Sequence, residues 1–249
     1  GSYFSNIELE TYNIYSSELS NFFTLPTVAI VNTYLPLTSY NDYSNYIFTF
    51  LNEGSSEFSI VCEAPVNCGE LVTNELYSEI PFIITDLVHS YNDINTINYS
   101  YTSTQLNITV GREYSIEDIN LIDQEIDTIL NSIINESMTD FEKILSVHDY
   151  IINNTVYDSN CFEDISLCVN DHTAFGVIYD HEAVCEGYAH TIDIMLRALQ
   201  IPTVRLSSNT HQWSAVYHNG GWYHLDATWD DPVTTNGDNV LVHRFFLLT

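Results

Sequence analysis

The chain has 249 residues and a mass of 28.4 kDa, enough for one large domain or two modest ones. With 45% hydrophobic and 13% aromatic residues it is not a disordered chain, and its longest apolar run, Phe22 to Val31, is too short for a membrane-crossing helix of about 20 residues. Five basic residues (Arg112, Lys143, Arg197, Arg205, Arg244) against 34 acidic ones give a formal net charge of −29 with no basic cluster, which excludes a nucleic-acid partner and an anionic membrane surface.

So large an acidic excess serves solubility, or a preference for neutral or cationic substrates. Gly1 and Ser2 read as an expression scar. Residues 3–113 form an accessory region of mixed α/β character. Tyr43 to Leu51 is predicted helical and is followed by a turn at Asn52-Glu53-Gly54. Glu57 to Cys62 alternates like a strand, and Glu70 to Ser78 suits a short helix. Ile94 to Tyr101 and Gln105 to Val110 suit a β-hairpin ended by Gly111. No chemistry is legible in this region, where His89 stands alone.

The pattern turns helical at residue 114, where the second domain, 114–249, is set to begin. Ile119, Ile122, Ile126, Ile129 and Ile133 recur at helical spacing behind a cap at Ser115 and Asp118. A second helix starts at Thr139, with Glu142 completing a capping box and Ile144, Val147, His148 and Ile151 on its inner face.

Five cysteines are present. Cys62 with Cys68, and Cys161 with Cys168, are spaced to close two small disulfide loops, which suits a secreted or cell-surface protein. The alternative is five reduced thiols in a cytosolic protein. Cys185 is left over as a reactive thiol.

Cys185 precedes an apolar stripe of Tyr188, Ile192, Met195, Leu196 and Leu199, which Pro202 stops. It therefore starts a buried helix, where unpaired N–H groups and the macrodipole favour a thiolate and can stabilise an oxyanion. Gly187 permits a close chain approach. Downstream, Asn219-Gly220 between two apolar runs signals a hairpin. A two-residue turn there pairs Trp213 with Asp226 and sets His211, Trp213 and Asp226 on one face, with His211 and Asp226 as diagonal neighbours. A nucleophile, a base and a carboxylate that orients the base are the roles thiol attack on a carbonyl needs. His181, His190, His218, His224 and His243 are expected at the surface or at edges, with His224 a minor substitute for the base. A zinc site from His181 and Cys185 lacks a second ligand pair, and no EF-hand loop occurs, so no metal and no cofactor are expected.

The run Ala183-Val184-Cys185-Glu186-Gly187-Tyr188-Ala189 is preceded by His172-Thr173-Ala174-Phe175-Gly176. It is followed by Leu199-Gln200-Ile201-Pro202, by His211-Gln212-Trp213, and by 221–232 with Trp222-Tyr223-His224-Leu225-Asp226-Ala227-Thr228-Trp229. Together these resemble the transglutaminase-like superfamily, in its bacterial extracellular transglutaminase/protease-like branch. The resemblance implies an α+β papain/transglutaminase-like core, with the nucleophile at a helix N-terminus packed on an antiparallel sheet. It implies Cys185 as nucleophile, His211 as base, Asp226 as orienter and His172 as an oxyanion donor. Trp213 and Trp229 are read as walls of a substrate cleft, with core packing as the alternative. Ser214 and Gln200 depart from the branch, which has Asn and Gly at those places.

The expected function is cysteine-dependent acyl transfer on protein or peptide amides, with hydrolysis favoured over crosslinking. The alternative is a non-catalytic surface binding module that retains the fold.

Overall fold

The computed structural model describes residues 13–14, 23–24, 28–74, 82–161, 165–231 and 241–248. Two compact units emerge, one within Leu25–Glu113 and one within Tyr114–Thr249, the latter joined by the short strands β1 (Asn13–Ile14) and β2 (Phe23–Thr24). Gly1 and Ser2 lie outside the described residues.

The first unit is built on an antiparallel sheet in the order β3-β5-β4, from β3 (Glu57–Val61), β4 (Ile94–Tyr101) and β5 (Gln105–Arg112). Strict alternation turns Phe58, Ile60, Leu106, Ile108 and Val110 inward, as a period of two requires. Helix α1 (Tyr43–Asn52) stacks Phe50 on Phe58 at 4.4 Å between ring centroids. Helix α2 (Cys68–Thr73) is capped by the Asn67 side chain, which accepts from the Gly69 N–H. The Cys62–Cys68 disulfide ties the end of β3 to the start of α2. Helix α3 (Phe82–Thr85) completes the unit.

Two expectations change here. The helix expected over 70–78 begins two residues earlier and ends at Thr73, and 75–78 lie outside the described residues. Gly111 does not end its strand. It pairs with Thr96 beside a bulge, where a Cβ would come within 2.3 Å of the Thr96 hydroxyl.

In the second unit, helices α4 (Ile116–Ile133) and α5 (Asp140–Asn154) each open with a complete capping box, Ser115/Asp118 and Thr139/Glu142. Ile122, Ile126 and Ile129 of α4, and Ile144, Val147, His148 and Ile151 of α5, are buried. Parallel strands β6 (Val156–Tyr157) and β7 (Glu182–Ala183) flank a π-helical turn at Gly176–Asp180. Helix α6 (Cys185–Ala198) packs between α5 and an antiparallel sheet ordered β11-β10-β9-β8. Those strands are β8 (Thr203–Ser207), β9 (Gln212–His218), β10 (Gly221–Leu225) and β11 (Phe246–Leu248). This unit is mixed α/β, with a helix packed on an antiparallel sheet as the sequence reading expects.

Being covered on both sides, α6 is buried from Gly187 to Arg197 rather than along one stripe. Its polar residues must then be paired inside. Arg197 donates to Asp193 at 2.6 Å one turn back, and to the Thr203 carbonyl. Arg205, fully buried on β8, donates to His190 Nε2 at 3.0 Å. The His190 Nδ1 lies 2.7 Å from the Tyr114 hydroxyl, which also accepts from the Ala174 N–H. His190 and His224, expected at the surface, are therefore interior residues. Trp213 donates to His224, and burial pushes the His224 imidazole down to about 4. A histidine held neutral in this way is no substitute for a catalytic base.

Helix α6 ends before Pro202 acts, because Gln200 adopts the left-handed conformation at φ 61°. This is the position at which the related branch carries glycine. A side chain there costs about 1 kcal/mol, partly offset by the lower unfolded-state entropy of a non-glycine residue. Gln200→Gly should raise the melting temperature by a degree or two, by up to about 0.5 kcal/mol on this balance. Calorimetry showing a loss would put the strain elsewhere.

Candidate active site

Cys185 opens α6, and it is partly exposed and unpaired while the other four cysteines form disulfides. Unlike α4 and α5, α6 has no side-chain cap at its N-terminus, so its first-turn N–H groups are left for another acceptor. The chain 171–173 supports this end from behind. The Val184 N–H donates to the Asp171 carbonyl at 3.0 Å, and a Cβ on Gly187 would sit 2.3 Å from that same oxygen. Gly187 thus lets the supporting backbone lie directly against the helix.

The hairpin forms in the expected register. Asn219 and Gly220 have φ of 47° and 81°, as a two-residue primed turn requires, and Gly221 pairs with His218 through to Leu225 with Ser214. His211 and Asp226 therefore leave adjacent strands on the same face. His211 Nε2 lies 2.6 Å from Asp226 Oδ2. The other Asp226 oxygen accepts from the Trp229 N–H at 3.1 Å, and the Asp226 N–H donates to the Phe245 carbonyl. With Nε2 on Asp226, Nδ1 is the atom left to meet Cys185. Burial pushes the His211 imidazole down, but hydrogen bonds to Asp226 and Cys185 and the charge of both outweigh it and raise the group to about 9.

The imidazole is stacked between two indoles, Trp229 at 4.8 Å and 9° and Trp213 at 5.6 Å and 12°. Only one of them walls the cleft. Trp229 is 42% exposed and faces a cavity of about 480 Å³, which Tyr157, Thr210, Thr228, Asp231 and Phe245 also line, with His211 in its wall. Trp213 is buried behind the ring and packs in the core.

Residues 127–227 match the Transglutaminase-like superfamily. They form a transglutaminase-like domain. The chain is 22% identical to the kyphoscoliosis peptidase of Mus musculus over 143 residues, 49% of this chain and 21% of that protein. It is 22% identical to the kyphoscoliosis peptidase of Homo sapiens over 146 residues, 50% of this chain and 21% of the relative. The chain thus spans about a fifth of the length of these relatives. It aligns with a solved structure described as the crystal structure of a TGase at 15% identity and a TM-score of 0.43, over 76% of this chain and 54% of that one. The transglutaminase-like superfamily is in general one of cysteine-dependent acyl transfer.

Within this domain, His172 is anchored rather than free. Its Nδ1 meets Glu186 Oε2 at 2.9 Å and its Nε2 lies 3.5 Å from the Cys161 sulfur, so both ring nitrogens are engaged. His181 faces the Asn154 carbonyl, and no cluster of metal-ligand atoms among the described residues includes His181 or Cys185. Three positions to which the sequence reading assigns no role in the site shape it, His148 being read only as an inner-face residue. His148, fully buried, binds Asp149 and Asp230, each at 2.9 Å. Asp230 in turn accepts from the Phe245 N–H and fixes that cleft wall. Asp231 lies 6% exposed in the cleft and accepts from the Tyr188 hydroxyl at 2.5 Å. The doubled acid of Trp229-Asp230-Asp231, set among aromatic residues, was the only signal for the last two.

Asp158 and Asp171, both buried, hydrogen-bond to each other behind the start of α6. Burial first, then the bond to Asp158 and its charge, then Glu182 and Asp180, push Asp171 up to about 7. An acid raised above its ordinary value stabilises the fold fully below pH 3.8, and that contribution is lost as pH rises through about 7. The melting temperature should therefore fall between pH 5 and pH 8. Asp171→Asn, which can still donate to Asp158, should flatten that slope. A slope unchanged in the variant removes the carboxyl pair as its source.

Proposed function

We propose that Cys185, His211 and Asp226 act as nucleophile, general base and orienting acid in acyl transfer on protein or peptide amides, with hydrolysis as the main outcome. The observation that carries this reading is the His211 imidazole, held by Asp226 at 2.6 Å and raised to about 9 by Asp226 and Cys185 together. With the His211 imidazole already holding the proton, Sγ of Cys185 attacks the amide carbonyl carbon as the thiolate of a thiolate–imidazolium pair. The carbonyl electron pair moves to oxygen, beside the uncapped N–H groups of α6. Collapse breaks the C–N bond, His211 returns the proton to the leaving amine, and a thioester remains on Cys185. His211 then takes a proton from water, the hydroxide displaces the thiolate, and a carboxylic acid leaves. An amine in place of water would give a new amide.

Hydrolysis is favoured because the cleft is open along the exposed face of Trp229, which leaves water in reach of the acyl group. The peptidase relatives support the same choice. Two disulfides and the acidic surface support a secreted or cell-surface location.

Incubation with a peptide library and intact mass spectrometry should trap a covalent adduct on Cys185. Cys185→Ala should fold and lose turnover, and retained turnover would end the mechanism. Asp226→Asn should lower the rate by ~10³–10⁴-fold, the scale known for the equivalent change in a serine triad. Because the imidazolium is needed to protonate the leaving amine, turnover should decline as pH passes about 9. A folded protein whose Cys185 shows no enhanced alkylation at any pH would instead be the binding module.

A further inference from the structure

We propose that the cleft beside His211 is a subsite for a cationic side chain, an alkylammonium or guanidinium, with Asp231 as its counter-ion. This deepens the acyl-transfer reading and rests on Cys185 being the nucleophile. Asp231 is a carboxylate that burial should neutralise unless something offsets it. One oxygen, Oδ2, is held by the Tyr188 hydroxyl of α6, one turn beyond Cys185, and Oδ1 accepts from no described residue. A nearly buried acid with one oxygen unclaimed by any described residue, in the lining of a 480 Å³ cavity, is a built receptor for a donor.

The rest of the lining fits the same ligand. Tyr157, Trp229 and Phe245 line the cavity with aromatic rings, a class of side chain that attracts a cation through the ring quadrupole and covers the alkyl stem of a lysine or arginine. Arg244 already rests its guanidinium 5.7 Å from the Phe245 centroid, so this wall tolerates a cation at close range. Thr210 and Thr228 add hydroxyl groups that are neutral and suited to a solvated ammonium. The field of the whole molecule, at −29, draws the same sign of charge toward the cleft. Burial pushes Asp231 up to about 6, with the Tyr188 hydrogen bond working against it. The group is therefore ionised at neutral pH and becomes neutral in mild acid.

The test uses the thiol as reporter and needs no known substrate. Cys185 is labelled with two methanethiosulfonates, one bearing a trimethylammonium group and one a methyl group. In each case the thiolate attacks the sulfenyl sulfur, forms a mixed disulfide and expels methanesulfinate. Each rate is divided by that of free 2-mercaptoethanol. We expect the cationic reagent to be favoured about tenfold, the order given by one cation on a desolvated aromatic and acidic site. Asp231→Asn retains an acceptor for Tyr188 and should reduce that ratio to about the small preference that the overall field supplies.

A ratio unchanged in Asp231→Asn, or no preference in the wild type, overturns the subsite and leaves the nucleophile intact. Failure of both reagents at Cys185 overturns the acyl-transfer reading itself. The source of the cation is separated by the products of a peptide library. Enrichment of Lys or Arg beside the cleaved bond places the cation on the acyl donor, and isopeptide-linked lysine places it on an attacking amine. Products with no enrichment of either kind count against the subsite.

Discussion

The site depends on a 2.6 Å contact between an imidazole and a carboxylate held across one hairpin. That contact exists only because the two strands are joined by two residues and no more. Asn219 and Gly220 accept positive φ, which strand residues resist, and the turn they form fixes the register of β9 on β10. A slip of one residue would send one partner to the opposite face of the sheet. The indole of Trp213 behind the ring and that of Trp229 in front then limit the imidazole to rotation in its own plane, which the Asp226 bond stops.

The electrostatics follow from a shortage of cations. Of five basic residues, Arg197 and Arg205 are buried and committed to Asp193 and His190, so they do little to balance the surface. Interior acids must find other partners. Asp226 has an imidazolium, Asp230 has His148 and a backbone N–H, and Asp171 has another acid beside it. Asp171 and Asp231, which have no cation beside them among the described residues, are carboxylates that burial pushes upward.

Much of this was legible in the residues. The capping boxes at Ser115 and Thr139 work through hydrogen bonds within four residues, so local sequence specifies them. The same holds for the Asn219-Gly220 turn and for the two short disulfide loops. What escaped is set by tertiary contact. A stripe of Tyr188, Ile192, Met195 and Leu196 suggests one buried face, yet α6 has a sheet on one side and α5 on the other. His190, Asp193 and Arg197 are therefore interior, although each looks like a surface residue in sequence. His224 is interior for the same reason. Asp231 was invisible because nothing local separates it from Asp230, whereas in space one of them fixes a wall and the other faces the cavity.

The three long helices of the domain make a final distinction. Helices α4 and α5 start with reciprocal side-chain caps, which satisfy their terminal N–H groups and anchor them. Helix α6, the most buried of the three, starts with Val184 and Cys185 and no cap. By the local rule this is the weakest start, and it survives because backbone from 171–173 holds it and Gly187 admits that backbone. The stabilisation a cap would bring, about 1 kcal/mol, is forgone where a capping side chain would occupy the N–H groups beside the sulfur. A departure from local preference, held in place by tertiary packing, leaves the start of α6 without a side-chain cap beside Cys185.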